Sequence, residues 1–459
     1  MRAVELAALL ENSPDGVTAA TEAVAGFDTA LIDGFARVSE RQSAALSVLA
    51  GAVAGSPLAA PVAEAVAKVS TGAIGPDRLS ALAAARAALL GAVHDALLEQ
   101  VDTALGRTRS EWSGAAGDTA PSPLAVGSRA WLGELAIAGW RGVDHDLVSA
   151  ADQTVEALLA EPALRRLAVL LDGFTAELSA SSPIATADRL PVRRWADLWT
   201  RALLLSWRGA EFTDNELVSG RLLILGVDVH EHGTAVQAQV HGVLETAGAP
   251  ARRVRVSVAA AKVDTIVGPA IWQLLGAHRQ LLTALAEHRV LELTEMPLAA
   301  SGDLVWQDER AKAGEAADPF VTATVLLPQA QAPAVAPLDR DPVHIAEPVL
   351  VEGYRIVDGA LELDGHRLTV ELDALPSSGP LTAVAVRGSG AMIGLLRWDA
   401  GGWSVRPLAV QRKVKGTLTA VHGGDWALGP TDPKVAKAQA KSGDAVAVLR
   451  ERAGRLLRK

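Results

Sequence analysis

The run Asp228-Val-His-Glu-His232 is the best local candidate for a metal site. In a strand, alternation places Asp228, His230 and His232 on one side, and His-x-His pairs bind transition metals. A hairpin reading of the neighbourhood counts against it. Arg221–Glu245 folds back about a two-residue turn at His232-Gly233, pairing Leu225 with Val240, Val227 with Ala238 and Val229 with Val236. His232 then falls in the turn. His241 lies opposite Ile224, roughly 20 Å from His230 at about 3.3 Å per residue. A metal site needs three or four convergent ligands, so a polar sheet face competes with this reading.

Other local signals are weaker. Asp144-His145-Asp146 looks like a fragment of a metal-dependent hydrolase motif, but it precedes a helix, where a carboxylate serves as a cap. Gly388-Ser389-Gly390 lacks the spacing of a nucleophile elbow and reads as a turn. No phosphate-binding P-loop or dinucleotide fingerprint is present. The chain has no Cys, which excludes disulfides, thiolate ligands, Cys nucleophiles and iron–sulfur clusters. No cofactor is expected.

Binding surfaces are easier to name. The hairpin gathers Asp228, His230, Gln237, Gln239 and His241 on its polar side. The next strand, Arg253–Lys262, turns Val254, Val256 and Val258 inward and Arg253, Arg255 and Ser257 outward. The expected result is a solvated, polar sheet face. A second basic area holds Arg406, Arg412, Lys413 and Lys415, near Trp403 and Trp426, with Lys413 and Lys415 on one face. The stretch Lys434–Lys459, which includes Arg450 and Arg455, sets eight Lys or Arg against Asp444 and Glu451, on a chain of net charge −10. A basic tail on an acidic body suits an acidic partner, nucleic acid or the body itself, and is also what a solvated terminal helix looks like. The overall charge argues against broad nucleic-acid binding.

The elements that must position these groups follow from hydrophobic period. At 459 residues the chain should hold two or three domains. Helical spacing dominates up to Phe212–Gly226, and two-residue alternation dominates after it. The fold class expected is α+β: a helical domain at 1–211, an α+β module with an antiparallel hairpin at 212–328, an antiparallel β module at 343–429 forming a meander or small barrel, and a basic C-terminal helix at 430–459. Within the first, 77–107 reads as one long helix, and 187–209 as another that carries Trp195 and Trp199 toward the β part. On that helix Asp197 is spaced to pair with Arg193 and Arg201. Phe320–Leu327 and Leu381–Arg387 read as strands, Ala299–Ala317 as a surface connection, and Gln329–Pro342 as a linker or an ordered extended crossing. Asp364-Gly365 predicts a turn that pairs Leu363 with His366 and Leu361 with Leu368. Gln42–Ala63 lacks charge, but Pro57 and Pro61 interrupt it, so no membrane span is expected. The N-terminus does not follow a signal-peptide pattern, and a cytoplasmic location is expected.

The run Arg221–Leu244, RLLILGVDVHEHGTAVQAQVHGVL, with RRWADLW at 193–199, resembles uncharacterised actinobacterial proteins that accompany MoxR-type AAA ATPases and von Willebrand factor A proteins. The resemblance implies an accessory subunit with a protein partner, an AAA ATPase among the candidates, and brings no functional residues with it. The function expected is a non-enzymatic adaptor that binds through Arg253, Arg255, Gln237, Gln239, Lys413, Lys415, Arg450 and Arg455. A metal-dependent hydrolase using Asp228 and His230, and nucleic-acid binding through the basic C-terminus, stay open as alternatives.

Overall fold

The computed structural model describes residues 1–112, 122–207, 215–414, 416–442 and 445–456, with backbone alone at 414, 442, 450 and 453–456. The first part holds helices α1 (Ala3–Leu10), α2 (Val17–Asp33), α3 (Glu40–Ala52), α4 (Ala59–Val69), α5 (Pro76–Leu105), α6 (Leu124–Ala138), α7 (His145–Ser149), α8 (Asp152–Ala160), α9 (Arg165–Ala180) and α10 (Val192–Trp207). Helix α5 starts with a proline in its first turn and ends where Gly106 enters the left-handed region at φ 61°. It is long and apolar enough to cross a membrane, and half of that stretch is buried in the protein. The charge-free stretch 42–63 is instead broken between α3 and α4.

Helices α2–α10 share one core. Trp195 and Trp199 belong to it, and this corrects their expected place at the β part. Trp195 packs edge-on against Trp140, and Trp199 contacts Phe27 while its indole N–H donates to Leu132 O at 2.9 Å. Both are fully buried among helices. On the same helix Asp197 pairs with Arg201 at 2.9 Å, but Arg193 reaches Asp399 at 2.7 Å and so ties α10 to the β part.

Strands β1 (Glu216–Glu231), β2 (Ala235–Glu245) and β3 (Arg252–Ala261) lead into α11 (Ile271–Leu274) and α12 (Arg279–Glu287). Strands β4 (Arg289–Leu298), β5 (Asp303–Leu304) and β6 (Ala311–Ala316) follow. The pairing runs β1-β2-β3-β5-β4 and returns from β4 to β1, closing a five-stranded barrel, with β6 added on β4. Only β3 and β5 run parallel. This strand order, with helices between the third and fourth strands packed into the same core, is the topology of an OB-type barrel. The region read as a surface connection at 299–317 therefore supplies two strands.

The β1–β2 hairpin differs from its expected register. Val227 faces Val240, Val229 faces Ala238 and Glu231 faces Val236. The chain turns at Gly233-Thr234, where His232 N–H donates to Ala235 O at 2.8 Å. This is a shift of two residues, which leaves every side chain on its expected face because the strand period is two. A bulge between Ile224 and Gly226 then turns Leu225 out of the barrel core.

The second sheet contains β7 (Glu347–Glu352), β8 (Arg355–Val357), β9 (Ala360–Leu363), β10 (His366–Val370), β11 (Ala391–Asp399), β12 (Gly402–Val414) and β13 (Thr417–His422), in the order β7-β11-β12-β10-β9-β8 with β13 also on β12. The Asp364-Gly365 turn has both residues at positive φ, and Leu363–His366 and Leu361–Leu368 are paired across it. Two expected strands are helices: α13 (Pro319–Val325), capped by Asp318, and α14 (Ala383–Arg387), capped by Thr382. The tail expected as one basic helix is described as α15 (Pro433–Ser442) and α16 (Ala445–Leu456), and Val446 of α16 is buried in the barrel core.

Three parts thus share borders. Leu6 and Leu9 of α1 and Val101 of α5 lie in the second sheet's core. Leu225 and Val243 of the barrel meet Phe320 of α13 and Ile393 and Ala409 of the second sheet. The extended segment after α13 bridges β3 at Arg252–Gln331 and the end of α5 at Arg109–Ala332, so it is an ordered crossing. Gly226 lies where a Cβ would come within 2.7 Å of Leu408 Cβ. Gly226→Val should therefore lower stability by about 1–3 kcal/mol through overpacking at this border. The midpoint of urea unfolding measures it, and an unchanged midpoint counts against the close approach.

Candidate binding cleft

The chain reverses after α5 and places Arg107 and Arg109 beside the first residue of β7, Glu347. Arg109 Nη2 donates to Glu347 Oε1 at 3.0 Å, and its Nε and Nη2 hold Asp102 at 2.7 and 3.1 Å. Arg107 Nη2 donates to Pro348 O at 2.6 Å, with its Nη1 3.9 Å from Glu347. Arg253 of β3 donates to the other carboxylate oxygen of Glu347 through Nη1. Burial alone would raise the Glu347 carboxyl, but Arg253, then Arg109 and Arg107, hold it far below the usual carboxylate range. Burial and the neighbouring Arg253 charge in turn draw Arg107 down to about 10.

A second cluster holds Asp228. His230 Nε2 donates to its carboxylate at 3.1 Å, and Arg406 Nη1 does so at 3.1 Å. Arg406 Nε also holds Glu371 at 2.8 Å. Burial would raise the Asp228 carboxyl; the bond and charge of His230, with the charge of Arg406, bring it down to about 2. His232 stands apart, facing Thr234 at 3.1 Å in a depression with Lys262 and Asp264. Among the described residues Asp228, His230 and His232 do not converge as a ligand set, and Asp228 is already occupied.

Between these clusters lies a cleft of about 620 Å³. Its floor is the outer face of the barrel: His230 of β1, Gln237, Gln239 and His241 of β2, and Arg253 and Arg255 of β3. Its roof is His94 and Leu98 of α5, Arg201 of α10, the crossing at 333–336 and 343–348, and Arg397 of β11. The alternation read from the sequence brings these floor residues to one face. The face is solvated only in part: His230 and Gln237 are exposed, whereas Arg253 is 4% and His241 1% exposed. Arg255 Nε and Nη2 hold Asp303 at 2.9 and 2.8 Å, and Ser301, the hydroxyl on this wall, donates to Asp303 at 2.7 Å. Arg253 Nε and Nη2, His241 Nε2 and Arg201 Nε have no hydrogen-bond partner among the described residues. Burial, then the Arg255 charge, draws His241 from 6.5 down to about 4.

The remaining expected contacts lie elsewhere. Lys413 is exposed on β12 opposite Leu418 and does not line the cleft. Lys415 and the side chains of Arg450 and Arg455 lie outside the described residues. Asp144 caps α7, accepting from Leu147 N–H at 2.8 Å. Ser389 lies in a turn and bonds Tyr354 OH at 2.6 Å. Sequence reasoning missed Glu347, Arg107, Arg109 and Asp303, each of which has a partner 48 to 241 residues away.

It also missed His288, His422 and Asp425, whose ligand-capable atoms lie within 4.8 Å of one another. Asp425 Oδ1 accepts from His288 Nε2 at 2.7 Å and lies 3.3 Å from His422 Nε2. His422 Nδ1 accepts the Gly424 N–H at 2.9 Å, which puts the ring proton on Nε2, facing Asp425. Both nitrogens of His422 are engaged, so the group is a hydrogen-bonded cluster with no lone pair of His422 left for a metal. Burial draws His422 down to about 4 as well.

Two outcomes follow from these buried groups. Glu347→Gln leaves three guanidinium groups with reduced counter-charge and should cost about 3–5 kcal/mol in urea unfolding. His241 and His422 are neutral when folded, whereas the unfolded chain protonates them below pH 6.5. Acid therefore favours unfolding between pH 6.5 and 4, with a loss of about 2 kcal/mol per histidine by pH 5. His241→Gln should flatten the pH dependence of the unfolding free energy in that window, and an unchanged slope would contradict the buried neutral state.

No family model, no curated protein and no solved structure matches the chain, so no residue role is carried over from a relative.

Proposed function

We propose that this chain is a non-enzymatic adaptor that holds an acidic, extended segment of a partner protein in the cleft on the outer face of β2 and β3. The observation that carries this reading is the composition of the cleft wall. Arg109, Arg201, Arg253, Arg255 and Arg397 face Asp303, Asp339 and Glu347, and several guanidinium donors have no acceptor. Such an excess attracts carboxylates and raises association rates. Gln237, which is exposed, and Gln239, which is half-buried, add amides that can pair with a peptide backbone. The resemblance of 221–244 to accessory proteins of AAA ATPases suggests such an ATPase as the partner.

Two considerations favour this over the alternatives. Outer β2–β3 faces of OB-type barrels also serve oligonucleotides, but single-stranded nucleic acid needs aromatic platforms. The described lining of this cleft has no Trp, Tyr or Phe. Ser301 bonds to Asp303 and not to a histidine, so the wall lacks an activated hydroxyl.

Fluorescence anisotropy with a labelled Glu- and Asp-rich peptide, against its Gln and Asn counterpart, tests the reading. The acidic peptide should bind and its neutral counterpart should not. Arg255→Glu, with folding checked by circular dichroism, should weaken binding by about tenfold or more. Equal binding of both peptides, or no effect of Arg255→Glu, would remove the proposal.

A further inference from the structure

The charged side chains of this protein follow a repeated pattern. Arg86 grips Asp28 through Nε and Nη2 at 2.6 and 3.0 Å. Arg109 grips Asp102 through the same pair of nitrogens, and Arg255 grips Asp303 likewise. That edge of a guanidinium carries two parallel N–H bonds whose spacing matches the two oxygens of a carboxylate. Arg253 departs from this pattern. Its Nη1 is spent on Glu347, while Nε and Nη2 have no partner among the described residues although the side chain is 4% exposed.

Arg253 lines the cleft, and another buried, unpartnered nitrogen is close to it in the sheet. His241 pairs directly with Arg255, and Val243 pairs with Arg253, so His241 and Arg253 are diagonal neighbours on one face. His241 Nε2 is also buried and without a partner. Buried polar atoms in native proteins are nearly all bonded, to protein, water or a ligand. Glu347 accepts from Arg109 Nη2 and Arg253 Nη1 and does not reach the empty edge.

We infer that the Nε–Nη2 edge of Arg253, with His241 beside it, is a built subsite for one carboxylate of the bound ligand. The inference rests on reading the cleft as a site for an acidic segment, and it names the anchor of that segment. The carboxylate comes from an Asp or Glu side chain or from a chain terminus; its chemistry is the same in either case. A planar, two-oxygen anion suits the edge, and a bulkier tetrahedral phosphate suits it less well at the buried end of the cleft.

The test uses the full chain and Arg253→Lys, which keeps the positive charge beside Glu347 but lacks the paired N–H edge. N-acetylglutamate, C-terminally amidated glutamate blocked at nitrogen, its neutral glutamine analogue, and inorganic phosphate are the probes. Binding is read from the Arg253 Nε–H signal in NMR and from calorimetry. Either glutamate probe should bind saturably and move the Arg253 Nε–H signal. Of the two, the form that binds more tightly tells whether a side chain or a terminus is the source. The glutamine analogue should not bind, and Arg253→Lys should weaken the glutamate probes by about tenfold or more. No binding of either glutamate probe, equal binding by Arg253→Lys, or a preference for phosphate would overturn the inference. The acidic peptide keeps the two proposals separate. If it binds wild type and Arg253→Lys equally, the cleft reading stands and the subsite falls. If it binds neither while the glutamate probe binds wild type, the cleft reading falls and the carboxylate edge stands.

Discussion

One carboxylate sets the arrangement of this molecule. Glu347 is approached by Arg107 and Arg109 from the end of α5, by Arg253 from the barrel, and opens β7 of the second sheet. A buried charge costs several kcal/mol unless its oxygens are fully engaged. The end of the long helix, the third barrel strand and the first strand of the second sheet are therefore fixed relative to one another. The crossing segment reinforces the same point, since Gln331 and Ala332 bridge Arg252 and Arg109 on either side of it. Apolar contacts through Leu6, Leu9 and Val101 add area at the border but could slide; the ion cluster supplies direction.

What was legible in the sequence was local. The helix at 76–105 announces itself through apolar spacing, a proline start and a glycine stop. The Asp364-Gly365 hairpin formed with its expected partners because a two-residue turn of that type tolerates little else. The polar face of β1–β3 followed from alternation. Its register did not, because a slip of two preserves every face, and only the turn at Gly233-Thr234 distinguishes the two pairings. Short apolar runs such as Phe320–Leu327 and Leu381–Arg387 carry no decisive period. Their capping residues, Asp318 and Thr382, were the better guide.

The rest was tertiary. An amphipathic helix shows which side is buried but not what covers it, so the spacing of Trp195 and Trp199 points them toward the β part when the helical core covers them. The cleft is a stronger case. Arg109 and Glu347 are 238 residues apart and have no shared pattern. Alternation could place Arg253 and Arg255 on the outer face; it could not show that α5, α10 and the crossing roof that face.

That roof explains why the face is unusual. The outer side of strands two and three in a small barrel of this topology is ordinarily open, and a polar face there needs no internal partners. Here the chain covers it, so each charge must be matched from within. The second sheet supplies Glu347 for Arg253 and Arg406 for Asp228, and the barrel's own β5 supplies Asp303 for Arg255. The matching is incomplete in the cleft wall, where Arg253 and His241 keep atoms with no partner among the described residues. A chain selected only for stability would gain by replacing such groups with apolar side chains of similar volume. Their presence beside a cleft, next to Arg109 and Arg255, whose equivalent edges are filled by carboxylates, is better accounted for by a ligand that completes the set than by packing alone.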